Sequence, residues 1–191
     1  MDINFKNLHD ALLKECEVVF PSIIDELKSE KIYSLSLYSE GGAWGDLYPT
    51  VSTFDGLNEV IAEYRENEYY DDQSDDELLK DLKWSPCDSP KLEEYIDSLP
   101  ETQAHLGKIV EVMDKLWDEE EEKEYNKLEQ RLTKVCLQVL KSLDEKGVFN
   151  KLDRSAFVLN LLNGDQSDEE RLEFAQSINP KSVCDKYEAE I

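Results

Sequence analysis

Between Lys31 and Thr53 the chain carries two short β-rich runs separated by glycines, and no other stretch leaves so few folding options. In Ile32-Tyr33-Ser34-Leu35-Ser36-Leu37-Tyr38 the large groups Tyr33, Leu35 and Leu37 alternate with Ser34 and Ser36, the period of a strand buried on one side. Gly41, Gly42 and Gly45 supply the backbone freedom for a reversal, and Leu47-Tyr48-Pro49-Thr50-Val51-Ser52-Thr53 returns as a second strand. Pro49 has no N–H to give a ladder, so this strand is expected at a sheet edge or to be bulged there.

The remaining segments supply helices to cover such a sheet and one later strand to extend it. Phe5, Leu8, Leu12, Cys16, Val19, Ile23 and Leu27 recur at spacings of three and four, which predicts an amphipathic first helix. Pro21 lies within it and predicts a kink or a restart. Thr53 or Asp55 can cap a second helix bearing Leu57, Val60, Ile61 and Tyr64. A short third strand is expected near Leu82 to Ser85, ahead of a loop fixed by Pro86 and Pro90. From Pro90 to Lys146 the apolar spacing is helical, with one face at Leu92, Tyr95, Ile96 and Leu99, a second from Leu106 to Leu116 and a third from Tyr125 to Leu143. Gly147 has the place of a helix-ending glycine.

Ser155 to Leu162 is almost continuously apolar, as in a strand buried on both faces in the middle of a sheet. Ser167 and Glu170 form a capping box, and Asn179-Pro180 reads as the cap and first position of a last helix. The expected architecture is a single α+β domain over residues 1–191. Its small, mostly antiparallel sheet has about three to four strands and is covered by several helices.

Charge sets the partners. With 21 basic and 45 acidic side chains the chain has a net charge of −24, which repels nucleic acid and anionic membrane and favours cationic partners. The densest block runs from Glu66 to Glu77 and is expected to be a solvated loop. Asp71, Asp72, Asp75, Asp76 and Glu77 lie there beside Tyr69 and Tyr70 and ahead of Trp84, and these eight residues are the candidate partner-binding set. A second block, Asp118 to Glu122, falls between two helical faces; it is either a link or a solvent-spanning part of one long helix, and it carries no obvious aromatic anchor. Neutralising the first block should therefore weaken partner binding more than neutralising the second.

Catalytic and metal motifs are missing from the pattern. Gly41-Gly42-Ala43-Trp44-Gly45 lacks the lysine of a phosphate loop, and Asn163 to Glu170 lacks the alternation of a calcium loop. His9 and His105 have no spaced ligand partners, and neither catalytic residues nor a cofactor is assigned. Cys16, Cys87, Cys136 and Cys184 are far apart and expected to be buried free thiols. No apolar run is long enough to span a membrane, and the first residues lack the core of a signal peptide, so a reducing cytoplasm is the expected address.

Leu37-Tyr38, Leu47-Tyr48-Pro49, Thr53, Gly56-Leu57, Trp84-Ser85-Pro86, Phe157-Val158-Leu159-Asn160, Gly164-Asp165 and Asn179-Pro180 together resemble an uncharacterised bacterial domain-of-unknown-function family of small acidic α+β proteins. The resemblance implies the fold and a bacterial cytoplasmic setting, and no activity. By analogy with similar acidic families encoded beside toxins, the leading expectation is an immunity or inhibitor protein that docks on a basic toxin or nuclease. The alternatives are a hydrolase with carboxylate chemistry and a DNA-mimic regulator.

Overall fold

The computed structural model describes residues 3–40, 44–67, 70, 72–164 and 166–191, so the expected glycine turn at Gly41 and Gly42 lies outside the described residues. The elements run α1 (Phe5–Glu26), β1 (Ile32–Ser39), β2 (Leu47–Thr53), α2 (Phe54–Glu66), α3 (Asp75–Lys83), α4 (Pro100–Asp118), α5 (Glu122–Glu145), β3 (Val158–Asn163), α6 (Asp168–Ile178) and α7 (Lys181–Glu188). The fold is α+β. Its sheet has the order β2-β1-β3, with β1 antiparallel to β2 and parallel to β3. It is thus mixed, one antiparallel and one parallel pair, where a mostly antiparallel sheet was expected.

A bulge sorts the side chains of β1. Ile32 pairs with Thr53 and Ser34 with Ser52, so Tyr33 is the extra residue on its strand. The extra residue turns Tyr33 away from the face of Leu35 and Leu37. Those two, with Leu159 and Leu161 of β3, join the main core under α1, α4 and α5. Tyr33 instead packs with Leu57, Val60, Leu78 and Leu82 of α2 and α3 on the opposite side. The simple alternation predicted for this strand fails at that one residue, and both faces of β1 are buried.

The helix ends follow local chemistry. Thr53 caps α2 by accepting from Gly56 N–H at 3.0 Å. Ser167 and Glu170 form the expected capping box. Gly147, at φ +76°, ends α5 in a Schellman turn, with its N–H donating to Asp144 C=O and that of Val148 to Leu143 C=O. α1 runs unbroken through Pro21, because the one lost donor weighs little against the burial of Phe20, Ile23 and Ile24 around it. The N-terminus of α4 is capped from outside: the carboxylate of Glu15 accepts from the N–H groups of Glu101 and Thr102, each at 2.8 Å, and from the Thr102 hydroxyl at 2.7 Å.

Four sequence expectations are corrected. The segment near Leu82 to Ser85 is the end of α3, with Trp84 as its C-cap, and not a strand. The charged run up to Glu77 is a loop only in part, since Asp75, Asp76 and Glu77 form the first turn of α3. Residues 90–99 form turns and one short 3₁₀ segment, Ile96–Ser98, where helix was expected. Pro180 and not Asn179 is the N-cap of α7.

β3 is buried on both faces, as its composition predicts, yet it lies at the sheet edge rather than in the middle. Helices supply the second cover. Amide side chains satisfy its outer edge: Asn179 accepts from Leu159 N–H at 2.8 Å and donates to Leu159 C=O at 2.7 Å, while Gln166 accepts from Asn163 N–H and donates to Leu161 C=O. These two residues stand in for a missing strand. Arg154 ties the same corner together through Asp144, Phe157 C=O and Asn179 Oδ1.

Candidate protein-binding surfaces

Of the eight predicted contact residues, Tyr69 and Asp71 lie outside the described residues. Tyr70, Asp72, Asp75, Asp76 and Glu77 are brought together on one exposed surface where α2 gives way to α3. One side chain organises it. The Arg65 guanidinium donates to Tyr70 C=O at 2.8 Å, to Gln73 C=O at 2.7 Å and to the Asp75 carboxylate at 2.9 Å, which fixes the turn against the end of α2. Ser74 then starts α3 through a capping box with Glu77. The Ser74 N–H and hydroxyl bonds hold the Glu77 carboxyl below its ordinary range.

Tyr70 is 55 % exposed and sits at φ +57°, with its ring stacked on Tyr64 at 5.8 Å. Tyr64 donates its hydroxyl to Asp88, and that bond, followed by burial, pushes its pKa up to about 12. The aromatic at the surface is therefore held from below by a second ring that is itself pinned. Asp72, Asp76 and Asp81 are exposed around it.

Trp84 does not belong to this surface. Its ring meets Tyr33 at 5.4 Å and Tyr187 at 4.7 Å, both edge to face, under the ammonium of Lys83. Half-buried, it joins the α2–α3 cluster to the α6–α7 cluster. Trp44 is interior, at 3 % exposure.

The exposed tryptophan is Trp117, at 69 %, one residue past the apolar face that ends at Leu116. It stands at the end of α4 beside the second acidic block. That block is a link between two helices. Glu120 adopts φ +60°, its N–H donates to Trp117 C=O at 3.1 Å, and that of Glu121 donates to Leu116 C=O at 2.8 Å. These bonds form a Schellman turn with glutamate in the position glycine usually takes.

A cleft of about 790 Å³ opens between α5 and α6 beside the carboxyl end of β3. Its floor includes Trp44, Leu161 and Phe174; Lys134 and Lys141 line it from α5, and Glu170 and Glu173 from α6. The indole N–H of Trp44 is buried without an acceptor among the described residues. Among those residues no three of His, Cys, Asp or Glu are grouped so as to hold a metal ion, and no helix is long and apolar enough to cross a membrane. Cys16, Cys136 and Cys184 are buried free thiols as expected, whereas Cys87 is exposed in the 3₁₀ segment Pro86–Asp88. Burial pushes the Cys136 thiol up to about 12 and Cys16 well above the ordinary range, so both are inert.

No curated protein and no solved structure matches this chain. A protein-family comparison matches residues 12–180, a span that holds every strand, the Arg65-ordered surface and the α4–α5 link, and the chain thereby belongs to the family described as Domain of unknown function (DUF4303).

Proposed function

We propose that this is a protein-binding module whose acidic α2–α3 surface docks on a cationic protein, with an immunity or inhibitor protein for a basic toxin or nuclease as the specific form of that reading. The observation that carries it is the Arg65 fork. A single cation spends its donors on ordering the turn, and leaves Asp72 and Asp76 exposed beside a supported aromatic ring. Preordered carboxylates around an aromatic steer a basic partner at long range and hold it at short range with little ordering cost. Such a surface also competes with phosphate for a nuclease's basic groove. A bacterial cytoplasm is the proposed setting, and three buried unpaired thiols agree with a reducing compartment.

The test is capture from the host by the immobilised wild-type chain and by a variant carrying Asp72→Asn, Asp76→Asn and Tyr70→Ala. A protein of high isoelectric point should be retained by the wild type, released by salt and lost on the variant. Retention of acidic or neutral proteins alone, or equal retention by the variant, would refute the assignment. A toxin or nuclease reading frame beside the gene would support the immunity form, and its absence across relatives would count against that form alone.

A further inference from the structure

The α5–α6 cleft holds opposite charges apart. Lys134 and Lys141 line it from α5, about two turns apart on one flank of that helix, and Glu170 and Glu173 line it from α6. Among the described residues neither lysine forms an ion pair or a hydrogen bond, nor does Glu173, and Glu170 spends only its Oε2, on the Ser167 cap. The floor adds an independent observation. Trp44 is 3 % exposed, its backbone sits at φ +53°, and its indole N–H has no acceptor among the described residues. A phenylalanine would fill much the same space without a stranded donor, so packing alone does not account for the indole. Backbone held in a sparsely populated region is a recurrent feature of ligand sites.

We propose that this cleft binds a zwitterionic small molecule, an amino acid or a short peptide with free ends. Its carboxylate meets Lys134 and Lys141, its ammonium meets Glu170 and Glu173, and its side chain rests on Leu161 and Phe174 of the floor. An oxygen of the carboxylate supplies the acceptor that the Trp44 N–H lacks. Neither charge alone would suit the site. A simple anion would face the carboxylates of α6, together with Glu129 of α5, and a simple cation would face the two lysines. Only a ligand bearing both charges is matched on both walls. The size agrees, since about 790 Å³ lies within the ordinary range of small-molecule pockets.

Isothermal titration calorimetry of the full chain against the standard L-amino acids and, in a separate arm, against glycyl dipeptides tests this. At least one compound should bind saturably at one site with a dissociation constant below about 1 mM, and the arm that holds the tighter binder separates free amino acid from peptide. The N-acetylated and the amidated form of that compound should each bind at least about tenfold more weakly, as should the unmodified compound to Lys141→Gln and to Glu173→Gln. Both of those side chains are exposed and bear no structural bond among the described residues, so the variants should melt as the wild type does. Trp44→Phe keeps the ring and removes the N–H; it should weaken binding about threefold or more without lowering the melting temperature. No binding by any compound of either arm at about 10 mM, a ligand indifferent to blocking of both its ends, or unchanged affinity in Lys141→Gln and Glu173→Gln would each overturn the proposal. None of these outcomes touches the α2–α3 surface, which contributes no described residue to the cleft.

Discussion

The two acidic blocks of this chain look alike in sequence and are built differently. The α2–α3 block is ordered by one arginine and a capping box, so its carboxylates project from a turn held at three backbone and side-chain points. The α4–α5 block is a three-residue link, Glu119 to Glu121, ordered by its own backbone in a Schellman turn. Among the described residues each has one non-glycine residue in the left-handed region, Tyr70 and Glu120 respectively. Tyr70 is held there by stacking on Tyr64, and no ring contact holds Glu120. Similar charge thus does not mean similar build: the first block presents carboxylates fixed around a supported ring, and the second is a short turn that follows the exposed Trp117.

The largest effect erases the comparison. Leu159 is fully buried between sheet and helices, and Leu159→Asp would bury an unpaired charge against a total stability on the order of 5–15 kcal/mol. The variant should fail to fold, and a near-wild-type melt would refute the placement of β3. Arg65→Met comes next. It removes the donors to Tyr70 and Gln73 and leaves Asp75 unpaired, so it should cost about 1–2 kcal/mol in denaturant titrations and loosen the α2–α3 block alone. Ser74→Ala should cost about 1 kcal/mol by loss of the cap, with no effect on the α4–α5 link.

Glycine substitution separates the two left-handed residues. Glu120→Gly should stabilise by about 0.5–1 kcal/mol because the turn keeps its bonds and loses its strain. Tyr70→Gly should give no such gain, since it forfeits the stacked ring. Thermal melts of the pair measure the contrast directly. The smallest effect is in titration. Glu77 is held low by the Ser74 backbone and hydroxyl, and Glu124 by the Lys127 side-chain bond. For both, the stabilising bond is complete above the unfolded pKa and is lost as pH falls through the lowered folded value. Salt should move the Glu124 titration back toward its ordinary range and leave that of Glu77 in place, as carboxyl carbon shifts would report.

Much of this molecule is legible in its sequence where neighbours along the chain decide the outcome. The hairpin pairing, the Thr53 cap, the Ser167 box and the Gly147 helix end depend on residues a few positions apart. Most of what was missed depends on distant partners, and one miss was local. Ser74 with Glu77 is the same capping signal as Ser167 with Glu170, and it marked the start of α3; the surrounding charges obscured it. Trp84 is half-buried because Tyr187, far along the chain, packs against it. Asn179 reads as a helix cap by position, and only the free edge of β3 reveals its use as a surrogate strand. Trp117 was hidden by a helical periodicity that does not say which helices meet.

The division of labour between the acidic blocks is tested most directly by partner affinity at two ionic strengths, using the captured cationic protein and two matched variants. One carries Asp72→Asn, Asp75→Asn and Asp76→Asn; the other carries Glu119→Gln, Glu120→Gln and Glu122→Gln. The first should bind at least about tenfold more weakly and lose most of its salt dependence, and the second should stay within about threefold of wild type. Equal losses from the two variants would contradict the account, because net charge and not a built surface would then drive the association.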